Sequence, residues 1–322
     1  MKEFIRGSQN IIMNKLQIAK LFRTKCLAAV LGLAGCFCNM SVALASEDLL
    51  EHGRYVFYAA GCVSCHTRDQ LMAGGRPLVS PFGTFYPPNV TPHREYGIGA
   101  WSEEDFLRAL REGLNPQGEH YYPAFPYPSY TRMTRQDMQA LYAYLMTLPA
   151  SSRGIQPHDL PWPFSSRPMV AYWKAGRFTS GEFPTDPDKS PQWNRGAYLA
   201  DALGHCSECH TPRDYLGTPR RDRYLAGTCT GPDGRRVPNI TPDRDTGIGH
   251  WTCEALMTFL KTGKKPDGSY TDSLMAEVLG TSCMQLTRDD LHSLAIYLQS
   301  LPPIHNDLDA LCAPFDDSSF YD

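Results

Sequence analysis

Apolar residues recur at three- and four-residue spacing in two long stretches. Met138, Leu141, Tyr142, Leu145 and Leu148 form one, and Leu291, Leu294, Tyr297, Leu298 and Leu301 the other. This spacing predicts amphipathic helices with one face in a core. Each stretch opens on a threonine followed three residues later by an aspartate, Thr134 to Asp137 and Thr287 to Asp290, the pattern of a capping box. Each closes on Leu-Pro, at Leu148-Pro149 and Leu301-Pro302, because the residue before proline is disfavoured in a helix. Ser102 to Asp105 predicts a further cap ahead of Phe106, Leu107 and Leu110. A helix is also predicted from Ser46, with Leu50 and Phe57 on one face and Tyr55 and Tyr58 three apart, where packing is their expected role. Residues 73–89 are rich in Gly and Pro and predict a loop. The fold class is all-α.

The pattern occurs twice. Asn89-Val-Thr-Pro92 returns as Asn239-Ile-Thr-Pro242, Gly97-Ile-Gly99 as Gly247-Ile-Gly249, and Trp101 as Trp251, all at an offset of 150 residues. A collinear set of this kind marks a duplication. It divides the chain into an N-terminal segment (1–45), a first domain (46–149), a connecting segment (150–190), a second domain (191–303) and an acidic tail (304–322). The connecting segment contains Leu160-Pro-Trp-Pro-Phe164, Met169, Tyr172, Trp173 and Phe178. A flexible linker would be rich in Gly and Ser instead, so this segment is expected to pack along both domains.

Each domain opens on Cys-x-x-Cys-His, at Cys62, Cys65 and His66 and again at Cys206, Cys209 and His210. In this spacing two thiols can be alkylated by the vinyl groups of a haem while the histidine turns back onto the iron. A disulfide or half of a zinc site would explain one copy, but not two at matching places. Two covalently bound haems are expected, in tandem cytochrome c domains.

Residues 1–45 hold six of the 31 basic residues and one of the 34 acidic ones. They read as an export signal: a basic region through Lys25, an apolar run from Cys26 to Gly35, and Ala43-Leu-Ala45 as a cleavage site. Leu33-Ala-Gly-Cys36 is a rival, resembling a lipobox that would leave a lipidated Cys36, and Met13 is an alternative start. The remainder then carries 25 basic against 33 acidic residues. That balance argues against a nucleic-acid partner and favours docking to a complementary surface. No run downstream is long and apolar enough to span a membrane. The expected location is the periplasm, with peripheral attachment to the inner membrane as an option. Four cysteines lie outside the signal and the motifs, Cys229, Cys253, Cys283 and Cys312. Two disulfides are expected of them, in pairings the sequence leaves open.

A low-spin iron needs a sixth ligand, usually Met or His. In the first domain the choices are Met133, Met138, Met146, His93 and His120. Met138 falls on the apolar helix face, whereas Met133 falls in the loop just before that helix and is favoured. In the second domain Met275 is expected in the matching loop, with Met284 as its rival. His205 is expected in the pocket wall or at the surface.

Gly74-Gly-Arg-Pro77, Ser80-Pro-Phe-Gly-Thr-Phe-Tyr86, Tyr122-Pro-Ala-Phe-Pro-Tyr127, Trp193-Asn-Arg-Gly-Ala-Tyr-Leu199 and Leu203-Gly-His-Cys-Ser-Glu-Cys-His-Thr-Pro212 resemble the cytochrome c subunits of bacterial membrane-associated alcohol, gluconate and aldehyde dehydrogenases, over residues 48–303. The resemblance implies a subunit without a substrate site, which takes electrons from a dehydrogenase and passes them to a cytochrome, quinone or oxidase. It supports the roles given to Cys62, Cys65, His66, Met133, Cys206, Cys209, His210 and Met275. Better-known members have three haem domains and this chain has two, which argues against direct quinone reduction and tight membrane attachment. The alternative is a dihaem enzyme. A peroxidase needs one displaceable iron ligand, and a thiosulfate dehydrogenase would use a cysteine such as Cys253 or Cys283 near one iron.

Overall fold

Helix α1 (Cys36–Ala59) runs into the first Cys-x-x-Cys-His segment, which is itself the short helix α2 (Cys62–His66). The computed structural model describes the chain from Cys36 to Cys312, with side chains from Glu47. The export signal with its Cys36 and Ala45 alternatives, and the tail beyond Cys312, therefore lie outside the described side chains. The expected start of α1 at Ser46 is corrected: the helix passes through Ser46 unbroken, because residues 36–46 contain no Gly or Pro to stop it. The chain divides into two units, Met1–Asp48 and Leu49–Asp322. The rest of this description concerns the second.

After α2 come the hairpin β1 (Leu78–Ser80) and β2 (Gly83–Phe85), then α3 (Glu103–Glu112), α4 (Tyr127–Tyr130) and α5 (Arg135–Leu145). The connecting segment contributes α6 (Arg167–Arg177). The second half repeats the order with α7 (Pro191–Tyr198), α8 (Ser207–His210), α9 (Cys253–Thr262), α10 (Ser273–Thr281) and α11 (Arg288–Ser300), and α12 (Leu308–Cys312) closes it. The expected caps form. Ser102 and Asp105 make a reciprocal capping box on α3, and Thr134 and Thr287 accept from the amides of Asp137 and Asp290 at α5 and α11. Among the described residues no helix is long and apolar enough to cross a membrane.

In each half the first helix crosses the last at a glycine. A Cβ on Gly53 would stand 2.0 Å from the Ala140 carbonyl oxygen, and one on Gly196 would stand 2.0 Å from that of Ser293. The backbones meet without an intervening side chain, so alanine there must drive the helices apart. Gly53→Ala is expected to cost about 2–3 kcal/mol and lower the melting temperature by roughly 5–10 °C. Gly154→Ala, which meets nothing within 4 Å, is the control and should leave the melt unchanged. Equal melts for the two variants would contradict this account of the crossing.

The halves also exchange contacts. The Tyr55 hydroxyl on α1 donates to Asp290 on α11 at 2.5 Å, and the Tyr198 hydroxyl on α7 donates to Asp137 on α5. Each tyrosine oxygen in turn accepts from the amide of the threonine that caps the helix it reaches, Thr287 at 3.3 Å and Thr134 at 3.1 Å. Each aspartate also bonds a basic side chain of its own half, the His52 ring at 2.7 Å for Asp137 and the Arg195 guanidinium at 2.6 Å for Asp290. Burial would raise the Asp290 carboxyl, but bonds from Arg195 and Tyr55 together with the Arg195 charge outweigh it and lower its pKa. Phe57, Met133 and Leu141 of the first half and Leu203, Leu291 and Leu294 of the second belong to one continuous core.

The connecting segment touches both halves. Asp159 exchanges two backbone bonds with Thr84 of β2, at 2.8 and 2.9 Å. From α6, the Trp173 indole donates to the Leu216 carbonyl at 2.9 Å, and Arg177 pairs with Asp214 at 3.1 Å.

Cys229 and Cys312 form a disulfide, which tethers α12. The second expected disulfide is absent: Cys253 and Cys283 are free thiols. Cys253 opens α9, whereas the turn Cys283–Gln285 lies at the other end of that helix, where Lys261 donates to the Met284 carbonyl at 2.6 Å. Eight residues of helix span about 12 Å, well beyond the roughly 7 Å limit between bridged Cα atoms.

Candidate functional site

Both motif histidines are held in the same way. His66 Nδ1 lies 2.8 Å from the Pro88 carbonyl oxygen, and His210 Nδ1 lies 2.8 Å from that of Pro238. A carbonyl only accepts, so Nδ1 carries the proton and Nε2 keeps its lone pair, the form in which imidazole binds a metal. Burial lowers the pKa of both rings against the opposing effect of the carbonyl, which keeps them neutral.

The Asn-x-Thr-Pro repeat positions those two prolines. Asn89 Oδ1 accepts from the amide and hydroxyl of Thr91 at 2.9 and 2.7 Å, while its Nδ2 donates to the Ser151 carbonyl at 2.8 Å. Asn239 does the same with Thr241, at 2.9 and 2.8 Å, and with the Ile304 carbonyl at 2.8 Å. The loop bearing each acceptor is thus fastened to the chain that leaves the last helix. Gly74 and Gly227 donate to the carbonyls of His66 and His210 at 2.8 and 2.7 Å, both in the left-handed conformation that glycine favours. The second histidine lies nine residues further from its glycine than the first, and the second glycine lies three nearer its proline. The surplus falls in the turn carrying Tyr215 and Leu216, both exposed at the cavity mouth.

Cys62, Cys65, His66 and Met133 line one cavity of about 2260 Å³, together with the apolar side chains of Ile98, Phe106, Leu110, Leu141 and Leu145. This volume is about twice the upper end of ordinary ligand pockets, and Cys209 and Glu208 of the second half also reach it. Met133 is fully buried, and its carbonyl accepts from Arg111 at 2.8 Å. Burial pushes the Cys62 thiol up to about 12 and, in the second half, raises Cys206 as well. Both are protonated at neutral pH.

The two places where a sixth ligand is expected are not equivalent. Arg111 donates to the carbonyls of Thr131 and Met133; Lys261 donates to those of Met284, at 2.6 Å, and Leu286, at 3.3 Å. The counterpart of Met133 is therefore Leu286. Met275 lies on helix α10 and not in a matching loop, which corrects that part of the sequence reading. Three extra residues between Lys261's partners and the preceding Thr271 make room for that helix. Met275 and Met284 are both partly buried against the core, as is Cys206. Of the rival ligands, Met138 is packed in the core, and His93 Nδ1 accepts from the amide of Tyr96 at 3.1 Å. His120 faces Lys174 at 3.3 Å.

These residues suit a covalently held haem. In the first half two thiols and an imidazole sit within five residues of one short helix at the wall of an apolar cavity that a thioether also lines. The second half repeats the thiols and the oriented imidazole.

Comparison with known proteins agrees with this geometry. Residues 50–149 match the family described as Cytochrome c. The chain is 41% identical to the fructose dehydrogenase cytochrome subunit of Gluconobacter japonicus, over 81% of this chain and 54% of that one. It is 40% identical to a diheme cytochrome c-type protein of Cereibacter sphaeroides, over 79% of this chain and 86% of the relative. Identity to the cytochrome c subunit of the alcohol dehydrogenase (quinone) of Gluconobacter oxydans is 39%, over 86% and 60%. The chain thus spans little more than half the length of two of these three relatives.

Proposed function

Since this chain belongs to the c-type cytochrome family that includes the cytochrome subunits of bacterial dehydrogenases, we propose that it is a periplasmic dihaem electron carrier. It takes electrons from a partner dehydrogenase and delivers them to the respiratory chain through a cytochrome, quinone or oxidase. The observation that carries this reading is the repeated imidazole, with Nδ1 bound to a prolyl carbonyl and Nε2 free beside two thiols. Two domains of cytochrome c type, each with its own haem, account for that repetition.

In this reading Cys62 and Cys65 would tether one haem and Cys206 and Cys209 the other, while His66 and His210 would each give the iron a nitrogen. Met133 and Met275 would each give it a sulfur. When bound, haem supplies an iron that holds or releases one electron. The prolyl carbonyls fix the histidine tautomer and ring plane and make Nε2 a stronger donor. Ile98, Phe106 and Leu141 line the cavity with apolar surface that would keep water from a bound haem and so favour its reduced state. Tyr172, Tyr215 and Met169 leave an exposed apolar rim at the cavity mouth, suited to a protein partner.

The test is reduction of the purified holoprotein, followed by absorbance. A dehydrogenase of the kinds named among the relatives, with its substrate, should reduce it rapidly; alcohols, aldehydes or thiosulfate alone should not. The acidic surface predicts slower reduction as salt rises, since charge steering is screened beyond about 10 Å at 0.1 M. One observation favours the enzyme reading: Cys283 is a free thiol close enough to Cys206 to raise its pKa. Burial pushes Cys283 up to about 11, however, leaving it a protonated and poorly nucleophilic thiol. Thiosulfate or peroxide turnover by the isolated chain, lost in Cys283→Ala or Cys253→Ala, would replace the carrier with the enzyme.

A further inference from the structure

Gly61 and His205 occupy the same place in the repeat, each just before the first motif cysteine. Both have left-handed backbones, with φ of 63° and 38°. Glycine adopts this region freely, whereas a histidine there costs on the order of 1 kcal/mol or more. The two places meet in space: His205 Nε2 lies 3.8 Å from where a Cβ on Gly61 would stand. The imidazole packs edge-on against Tyr130, with ring centres 5.5 Å apart at 79°. The Tyr130 hydroxyl donates to the Ala60 carbonyl at 2.7 Å, and the His205 ring bonds to the same carbonyl. His205 lines the cavity together with Cys62, Cys65 and Cys209.

We propose that His205 is the positioning residue between the two haem-attachment segments and carries the electronic coupling between the haems; this rests on the dihaem reading above. It is not an axial ligand, because it precedes its cysteines and its ring is engaged by Ala60. A glycine would suit the backbone better, so the side chain is retained for what it fills. Without the ring, the segments that carry Cys62 and Cys206 would face each other across a gap lined by Gly61. Electron transfer through packed atoms is far faster than across a void, and the ring provides that packing. Tyr130, packed edge-on, holds the ring in place.

The experiment starts from wild-type holoprotein shown by intact mass to carry both haems; fewer than two defeats the dihaem reading itself and is seen before any variant is made. His205→Ala, His205→Gln and His205→Phe are then compared in their haem content, their two midpoint potentials and the rate of electron exchange between haems in half-reduced protein after a light pulse. His205→Ala is expected to keep both haems and to slow exchange several-fold, because a void lacks the packed atoms that the ring supplies on the route between them. His205→Phe, which retains the ring and the contact with Tyr130, should recover most of the rate, and His205→Gln, which retains only a hydrogen-bonding group, should not. Exchange at the wild-type rate in His205→Ala overturns the proposal. So does loss of a haem from all three variants, which would assign His205 to attachment, and equal rescue by Gln, which would make the bond to Ala60 sufficient.

Discussion

Two haems are expected to stay on the polypeptide through acid–acetone extraction, and the double variant Cys206→Ala/Cys209→Ala is expected to retain one. The measurement is intact mass together with haem absorbance per chain, and the expected change is half of the bound haem. The corresponding Cys62→Ala/Cys65→Ala variant should lose the other half. A further effect on stability is expected. Ile98, Phe106, Leu110 and Leu141 line a cavity of about 2260 Å³, and apolar walls facing such a space lose both packing and dryness when the bound group is missing. A wild-type chain that keeps only one haem through the extraction, or none, would end the cytochrome reading of the second motif.

Replacing Met133 with alanine should abolish about half of the weak sulfur-to-iron absorption in the red and lower one midpoint potential, because thioether ligation favours the ferrous state. The control is Met138→Ala. Both methionines are fully buried and both variants should lose stability, by about 2–5 kcal/mol for a buried Met, but only Met133→Ala should change the band. The proposed second haem site is the sharper case. Leu286 stands where Met133 stands and offers no ligand, so a sulfur ligand would have to come from elsewhere. Met275→Ala is expected to remove the remaining half of the band and Met284→Ala to leave it. The reverse outcome would move the assignment to the turn after α10.

The parts of this arrangement visible in the sequence are those encoded over a few residues. The capping pairs at Ser102, Thr134 and Thr287 hold as read, because a cap is a contact three residues long. The repeat offsets are a property of the chain itself. What escaped was long-range. Nothing local pairs Tyr55 with Asp290, 235 residues away. The free state of Cys253 and Cys283 depends on the length of α9, not on the even number of cysteines. The sequence alone suggests a loop at Met275 because the three inserted residues show only when the backbone bonds from Arg111 and Lys261 align the two halves. The role of Asn89 and Asn239 was hidden in a motif that looked only like a marker of duplication; their position next to Pro88 and Pro238 was the available signal.

The crossed bonds, Tyr55 to Asp290 and Tyr198 to Asp137, are those of an isologous dimer, in which one patch meets a second copy of itself. A single repeat carrying both the tyrosine and the aspartate could pair with its twin through the same two bonds. Joining the copies in one chain adds nothing to that interface; it replaces dilute encounter with a high effective concentration. It also releases the copies from being identical. His52 can stand opposite Arg195, Gly61 opposite His205 and Met133 opposite Leu286, substitutions that a symmetric pair of separate subunits would have to make on both sides at once.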